Sequence, residues 1–144
     1  MKLSALFLLF TLALPTQQGE KINLMCQTWK QVGLKQFRGK YRAITNMPKI
    51  MTLRTDGSYE ETYGTLRSKG RWKFSRDSSK FAVSLTEFNG QNINNMPLDK
   101  AIPTDSIIKL THDTLIYGSL GTFGPGNKLG QGYGHNDWYF VRVK

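Results

Sequence analysis

The chain has 144 residues, 39% of them hydrophobic and 21% charged, and its 20 Lys and Arg against 10 Asp and Glu give a formal charge of +10. A chain of this size makes one domain with room for a substantial core, and a single cysteine excludes an intramolecular disulfide framework. The charge favours anionic partners in general and names none.

Met1-Lys2 is a short positive start, and the twelve residues from Leu3 to Leu14 are apolar apart from Ser4 and Thr11. That run is too short to cross a bilayer, which takes about 20 residues in helical form, and it fits a secretory signal peptide. Residues 1–19 are therefore assigned to a signal, with cleavage between 13 and 19, and residues 20–144 to the folded domain. The protein is expected to be periplasmic or extracellular. Cys26 follows Asn23-Leu24-Met25, which lacks the small residues that precede an acylated cysteine, so a buried thiol is expected rather than a lipid anchor.

Apolar residues then recur with a period of two, the mark of half-buried strands. The first strand is Thr28 to Leu34. After it, Leu34, Phe37, Tyr41 and Ile44 fall at helical spacing, which places a short helix near residues 35–45, although Gly33 and Gly39 weaken it. Lys49 to Thr55 and Ser58 to Tyr63 flank Asp56-Gly57, a hairpin signal. Thr65 to Ser75 alternates most clearly, with Leu66, Ser68, Gly70, Trp72 and Phe74 on one face and Arg67, Lys69, Arg71 and Lys73 on the other. Lys80 to Phe88 follows, with Phe81, Val83 and Leu85 on one face. Asp105 to Leu110, Asp113 to Tyr117 and Asp137 to Lys144 complete eight strands at hairpin spacing.

Each strand has one apolar face and few helices are available to cover it, so the sheet must close on itself. The expected fold is all-β: a single antiparallel up-and-down barrel of about eight strands. Such a barrel is filled by side chains or holds one small ligand. Two segments show no periodicity. Residues 89–104 hold four Asn and two Pro and are expected to be a solvated connector, whereas residues 118–134 hold seven glycines in seventeen and are a candidate lid that would bring Phe123 and Tyr133 over a barrel mouth.

The Gln27-Thr28-Trp29 start, the Asp56-Gly57 hairpin with Tyr59, Gly70-Arg71-Trp72, the Ile107 to Leu115 run and the closing Trp138-Tyr139-Phe140-Val141-Arg142 together resemble the lipocalin-like domains of bacterial secreted proteins. The resemblance spans Leu24 to Val143 and rests on the order of short motifs. It implies a calycin-type barrel with room for a small apolar ligand, in which Arg142 packs across Trp29 and closes one end. Gln27 stands where the family has glycine.

On the faces read above, Met51, Leu53, Tyr59, Tyr63, Trp72, Phe74, Phe81, Val83 and Leu85 line the interior. Ser68 and Gly70, small and on the same face, leave space between the aromatics. If Tyr59 and Tyr63 face inward then Glu61 does too and needs a partner; otherwise it is solvated. His112 and His135 stand in no zinc or nucleophile spacing, and there is no G-x-S-x-G, so no catalysis, metal or cofactor is expected. The row Arg67, Lys69, Arg71, Lys73 is a solvated outer face or, alternatively, a docking stripe for an anionic polysaccharide, lipid headgroup or acidic protein. Export and the lack of interleaved aromatics argue against nucleic acid. The expected function is that of an exported, monomeric, non-enzymatic binder of a small apolar molecule; the alternative is a ligand-free interaction protein working through the basic face.

Overall fold

The computed structural model describes residues 17–94, 96–123 and 132–144. Helix α1 (Gln17–Met25) leads into strands β1 (Thr28–Lys35), β2 (Tyr41–Ala43), β3 (Lys49–Leu53), β4 (Ser58–Tyr63) and β5 (Leu66–Phe74). Strands β6 (Lys80–Phe88), β7 (Gln91–Asn92), β8 (Asp105–Leu110), β9 (Thr114–Phe123) and β10 (Gly132–Arg142) follow. Neighbours run antiparallel in the order β10-β9-β8-β6-β5-β4-β3-β1, and β10 pairs back onto β1. Eight strands thus close an up-and-down barrel of lipocalin-like architecture, with β2 and β7 as short additions on β1 and β6.

Closure follows from the alternation. In β5 Ser68, Gly70 and Trp72 are buried while Arg67, Lys69 and Arg71 are exposed, so a flat sheet would leave one apolar face wet. Curling covers that face and removes the free edges. The Asp56-Gly57 turn is set by Gly57 at φ 78°, a conformation that costs glycine nothing, and Asp56 Oδ1 accepts the Ser58 N–H at 2.8 Å.

The two ends differ. At one, α1 lies across the barrel base: Met25 is fully buried and its carbonyl accepts the Trp29 indole N–H at 3.0 Å. The Lys21 ammonium donates to the Ser78 carbonyl at 3.4 Å in the β5–β6 turn. Above this plug sits the core, with Trp29, Met51, Leu53, Phe81, Leu115 and Phe140 almost wholly buried. Among the described residues the other end, formed by the β1–β2 and β4–β5 turns and the end of β6, is open.

Three expectations change. The helix at one barrel end is α1, not residues 35–45. There the chain turns into β2, because Tyr41 lies over the bare face of Gly33, where any Cβ would collide with its ring. The Tyr41 ring also packs edge-on against Tyr139 at 5.0 Å. Much of the glycine-rich segment is strand rather than lid: β9 and β10 pair through ten residues, from Val141–Thr114 to Gly132–Phe123. Glycines in extended backbone carry no apolar period, so sequence periodicity could not reveal them. The described residues of 89–104 are mostly exposed, as expected of a solvated connector, but they also have a structural role. They strap the outside of β6, where the Ser84 hydroxyl donates to the Met96 carbonyl and the Ile93 N–H to the Thr86 carbonyl. The strap lies where β6 and β8 share only the pairs Lys80–Ser106 and Phe81–Asp105. Finally, Tyr63 is exposed at the mouth rather than interior.

Candidate functional site

The open end holds a cavity of about 410 Å³, within the range of small-molecule sites. Its apolar lining is Leu34, Ile44, Tyr63, Leu66, Phe88 and Trp138, and its polar lining is Gln31, Asn46, Lys49, Glu61 and Ser68. Local structure explains each placement. Trp29, Gln31 and Gly33 are the buried alternate positions of β1, and a register shift between Gln31 and Gly33 lets Leu34 reach the cavity as well. Lys49 begins β3 in phase with Met51 and Leu53, and the ladder sets it opposite Tyr63.

The polar lining includes an interior ionic network. Lys49 Nζ lies 3.1 Å from Glu61 Oε2, with about a fifth of each side chain exposed, and the Tyr59 hydroxyl donates to the same oxygen. Lys49 also stands 5.3 Å from the centre of the Trp138 ring, a cation–π distance. Glu61 therefore faces inward, and its partner is Lys49. Burial, then the Glu61 charge, holds the Tyr59 hydroxyl well above its usual range. Burial, then the Asp105 and Glu61 charges, does the same to Tyr117. Asp105 is pushed up to about 6 by burial, against the opposing pull of Lys49 and a Thr104 hydrogen bond.

Asp105 gives a pH prediction. Its folded-state affinity for a proton exceeds that of the unfolded chain, so the folded state binds more protons between about pH 4 and 6. Stability contributed by this group therefore falls as pH rises through that window. Asp105→Asn is expected to remove the slope and to stabilise the protein at pH 7 by about 1–2 kcal/mol, a value discounted for solvent screening of a partly exposed group. Urea melts of both proteins at pH 4.5 and 7 check this; an equal difference at the two pH values contradicts it.

The residues expected to hold a ligand mostly build the solid core instead. Met51, Leu53, Tyr59, Trp72 and Phe81 are buried in it, and Phe74, Val83 and Leu85 pack against it. Trp72 donates its indole N–H to the Arg54 carbonyl at 2.9 Å and meets Phe74 edge-on at 5.1 Å. Of the expected set only Tyr63 lines the cavity, together with Ser68, the residue whose size pointed to empty space. The side chains of Phe123 and Tyr133 lie outside the described residues.

Trp29 and Arg142 face each other in the β1–β10 ladder. The guanidinium reaches His112, with Nη1 3.2 Å from Nδ1, and His112 lies 3.3 Å from Asp113. Gln27 ends α1, donating its side-chain amide to the Leu24 carbonyl at 2.9 Å. The basic row is outside the barrel and largely engaged: Lys69 pairs with Glu87 at 3.3 Å, Arg71 donates to the Asp56 carbonyl at 2.8 Å and Lys73 to the Asp99 carbonyl at 3.2 Å. Among the described residues no cluster of His, Cys, Asp and Glu is arranged to hold a metal ion, and no helix is long and apolar enough to cross a membrane.

Sequence reasoning missed Gln31, Leu34, Ile44, Asn46, Lys49, Leu66, Phe88 and Trp138. For Lys49 the signal was present, since it shares the face of Met51 and Leu53. No protein-family model matches this chain, and no curated protein matches it.

Proposed function

We propose that the protein is a lipocalin-like, non-enzymatic binding protein that holds a small, largely apolar molecule in the open end of its barrel. The observation that carries this reading is the cavity of about 410 Å³ lined by apolar residues together with Gln31, Lys49, Glu61 and Ser68. A preformed site of this kind binds through apolar contact and uses its few polar groups to orient the ligand. The basic outer row supports the alternative less well, because three of its four side chains already have partners.

We further infer export, with cleavage upstream of Gln17. Met25 and Trp29 join α1 to the barrel base, so a mature chain that begins before the helix keeps its plug. Cys26 is half-buried where α1 meets β1, and burial raises its thiol pKa. Acylation there would expel the side chain from that packing.

Mass spectrometry of protein gently purified from its native host tests the whole reading. The expected result is an unacylated chain starting before Gln17, with a small molecule released on denaturation. A chain retaining residues 1–14 overturns the export inference, an acyl group on Cys26 overturns both the free thiol and cleavage upstream of Gln17, and protein with no bound molecule under native conditions counts against the binding function.

A further inference from the structure

The acidic side chains are not spread evenly along the barrel axis: at the closed end acids stand among the exposed bases Arg54, Arg76 and Lys80, whereas the described turns of the open end carry bases without acids. The closed-end turns each carry an aspartate: Asp56 between β3 and β4, Asp77 between β5 and β6, and Asp113 between β8 and β9. Glu20 on α1 joins them. At the open end, the β1–β2 turn reads Gln36-Phe37-Arg38-Gly39-Lys40, the β4–β5 turn Gly64-Thr65, and the β6–β7 turn Asn89-Gly90, with no acid in any of them. Lys35, Arg38, Lys40, Arg42 and Arg67 are all exposed there. Ladder partners fix the common end: Leu34 faces Arg42, Thr62 faces Arg67, and Tyr63 faces both Lys49 and Leu66. The nearest acids are already opposed by bases: Glu61 in its ion pair with Lys49, Asp137 across the ladder from Lys35, and Glu87 in its ion pair with Lys69.

The same end carries several exposed apolar groups. Met47, Tyr63, Leu66 and Phe88 are 40 to 56% exposed around the mouth, and Phe37 stands beside Arg38, whose guanidinium is 5.1 Å from its ring centre. An apolar collar rimmed by cations, with the acids at the far end, matches one kind of surface: apolar beneath and negatively charged on top.

We propose that the open end docks onto an anionic phospholipid bilayer, with Met47, Leu66 and Phe88 entering the headgroup boundary and the surrounding Lys and Arg meeting lipid phosphates. Interfacial binding of this type combines buried apolar area with attraction between basic side chains and anionic headgroups. It would set the cavity mouth against the membrane. The docking does not depend on the cavity being occupied, so it stands or falls separately from the binding function.

The test is sedimentation with vesicles of phosphatidylcholine alone and of phosphatidylcholine mixed with phosphatidylglycerol, using protein of one N-terminus, fixed by intact mass, in every sample. Wild type is expected to bind the mixed vesicles, weakly at high salt, and not the neutral ones. Arg38→Glu with Arg42→Glu should reduce binding by roughly tenfold or more, since each basic side chain near the surface contributes and each acid repels. Arg76→Glu with Lys80→Glu, the same charge change at the closed end, should leave most of it. Met47→Ser with Leu66→Ser, both exposed and tolerable to the fold, should weaken binding without changing its salt dependence. Four outcomes overturn the proposal: no binding to mixed vesicles, equal binding to neutral ones, equal loss from both charge pairs, or a solution dimer abolished by Met47→Ser with Leu66→Ser, which would make a second copy the occupant. Ser68→Phe, which plugs the cavity, should bind vesicles as wild type does.

Discussion

Trp29→Ala is expected to lower stability by about 3–5 kcal/mol, the range for truncating a large buried aromatic. Trp29 is fully buried and sits where three elements meet. Its backbone pairs with Met51 on β3 and Arg142 on β10, and its indole N–H is bonded to the Met25 carbonyl at the end of α1. Removing the ring opens a void under the core, leaves that carbonyl short of a donor and loosens the helix that plugs the barrel base. Denaturant melts followed by far-UV circular dichroism measure the loss. A change within about 1 kcal/mol, the scale of surface substitutions, would contradict a barrel closed through Trp29.

Gly70→Ala is expected to cost about 3 kcal/mol, the upper part of the range for overpacking. An added Cβ at this position would lie 2.8 Å from the Leu85 Cα and closer still to the Ser84 carbonyl oxygen. Both are backbone atoms of β6, so no side-chain rotation relieves the contact. The site coincides with the bulge between Lys69 and Gly70, where the β5–β6 register skips a residue, a feature that bends the strand. Thermal melts of Gly70→Ala beside Lys69→Ala, an exposed neighbour, measure it. Equal midpoints for the two variants would mean that the strands do not approach so closely.

The strands were legible because their burial is one-sided. Ser58–Tyr63, Lys80–Phe88 and Asp105–Leu110 were read with the bounds that the structure has, and the Arg67 to Lys73 row on the outside marked the opposite face as interior. What failed was information not carried by periodicity. Leu34, Phe37, Tyr41 and Ile44 imitate a helix, yet Tyr41 is held by the bare surface of Gly33 and by the edge of Tyr139, the second a contact from a distant part of the chain. The helix that does form, Gln17–Met25, overlaps a segment read as the end of a signal, and Met25 and Trp29 anchor it through packing rather than through a strong apolar stripe of its own.

The site was legible only in part, and for a related reason. Alternation identifies which side chains point inward but not their height along the axis. Met51, Leu53 and Trp72 were rightly placed on the inner face, and at their level the barrel is full. Lys49, on the same face one step nearer the mouth, was passed over because it is charged, yet it pairs with Glu61 and lies beside the Trp138 ring. Ser68 was found because a small residue between aromatics means missing volume, a local property that sequence does show.

The most direct test of the ligand-binding account is titration of the protein with a fluorescent apolar probe while exciting tryptophan. Trp138 lines the cavity and Trp29 and Trp72 lie in the core, so the emission lost on binding should disappear in Trp138→Phe and persist in Trp72→Phe. Ser68→Phe, which fills the space between Glu61 and Phe88, should abolish binding while the barrel remains folded. Saturable binding with that pattern is the predicted result. Failure of the wild type to bind, or unchanged binding to a folded Ser68→Phe protein, would show that the open end of the barrel is not a ligand site.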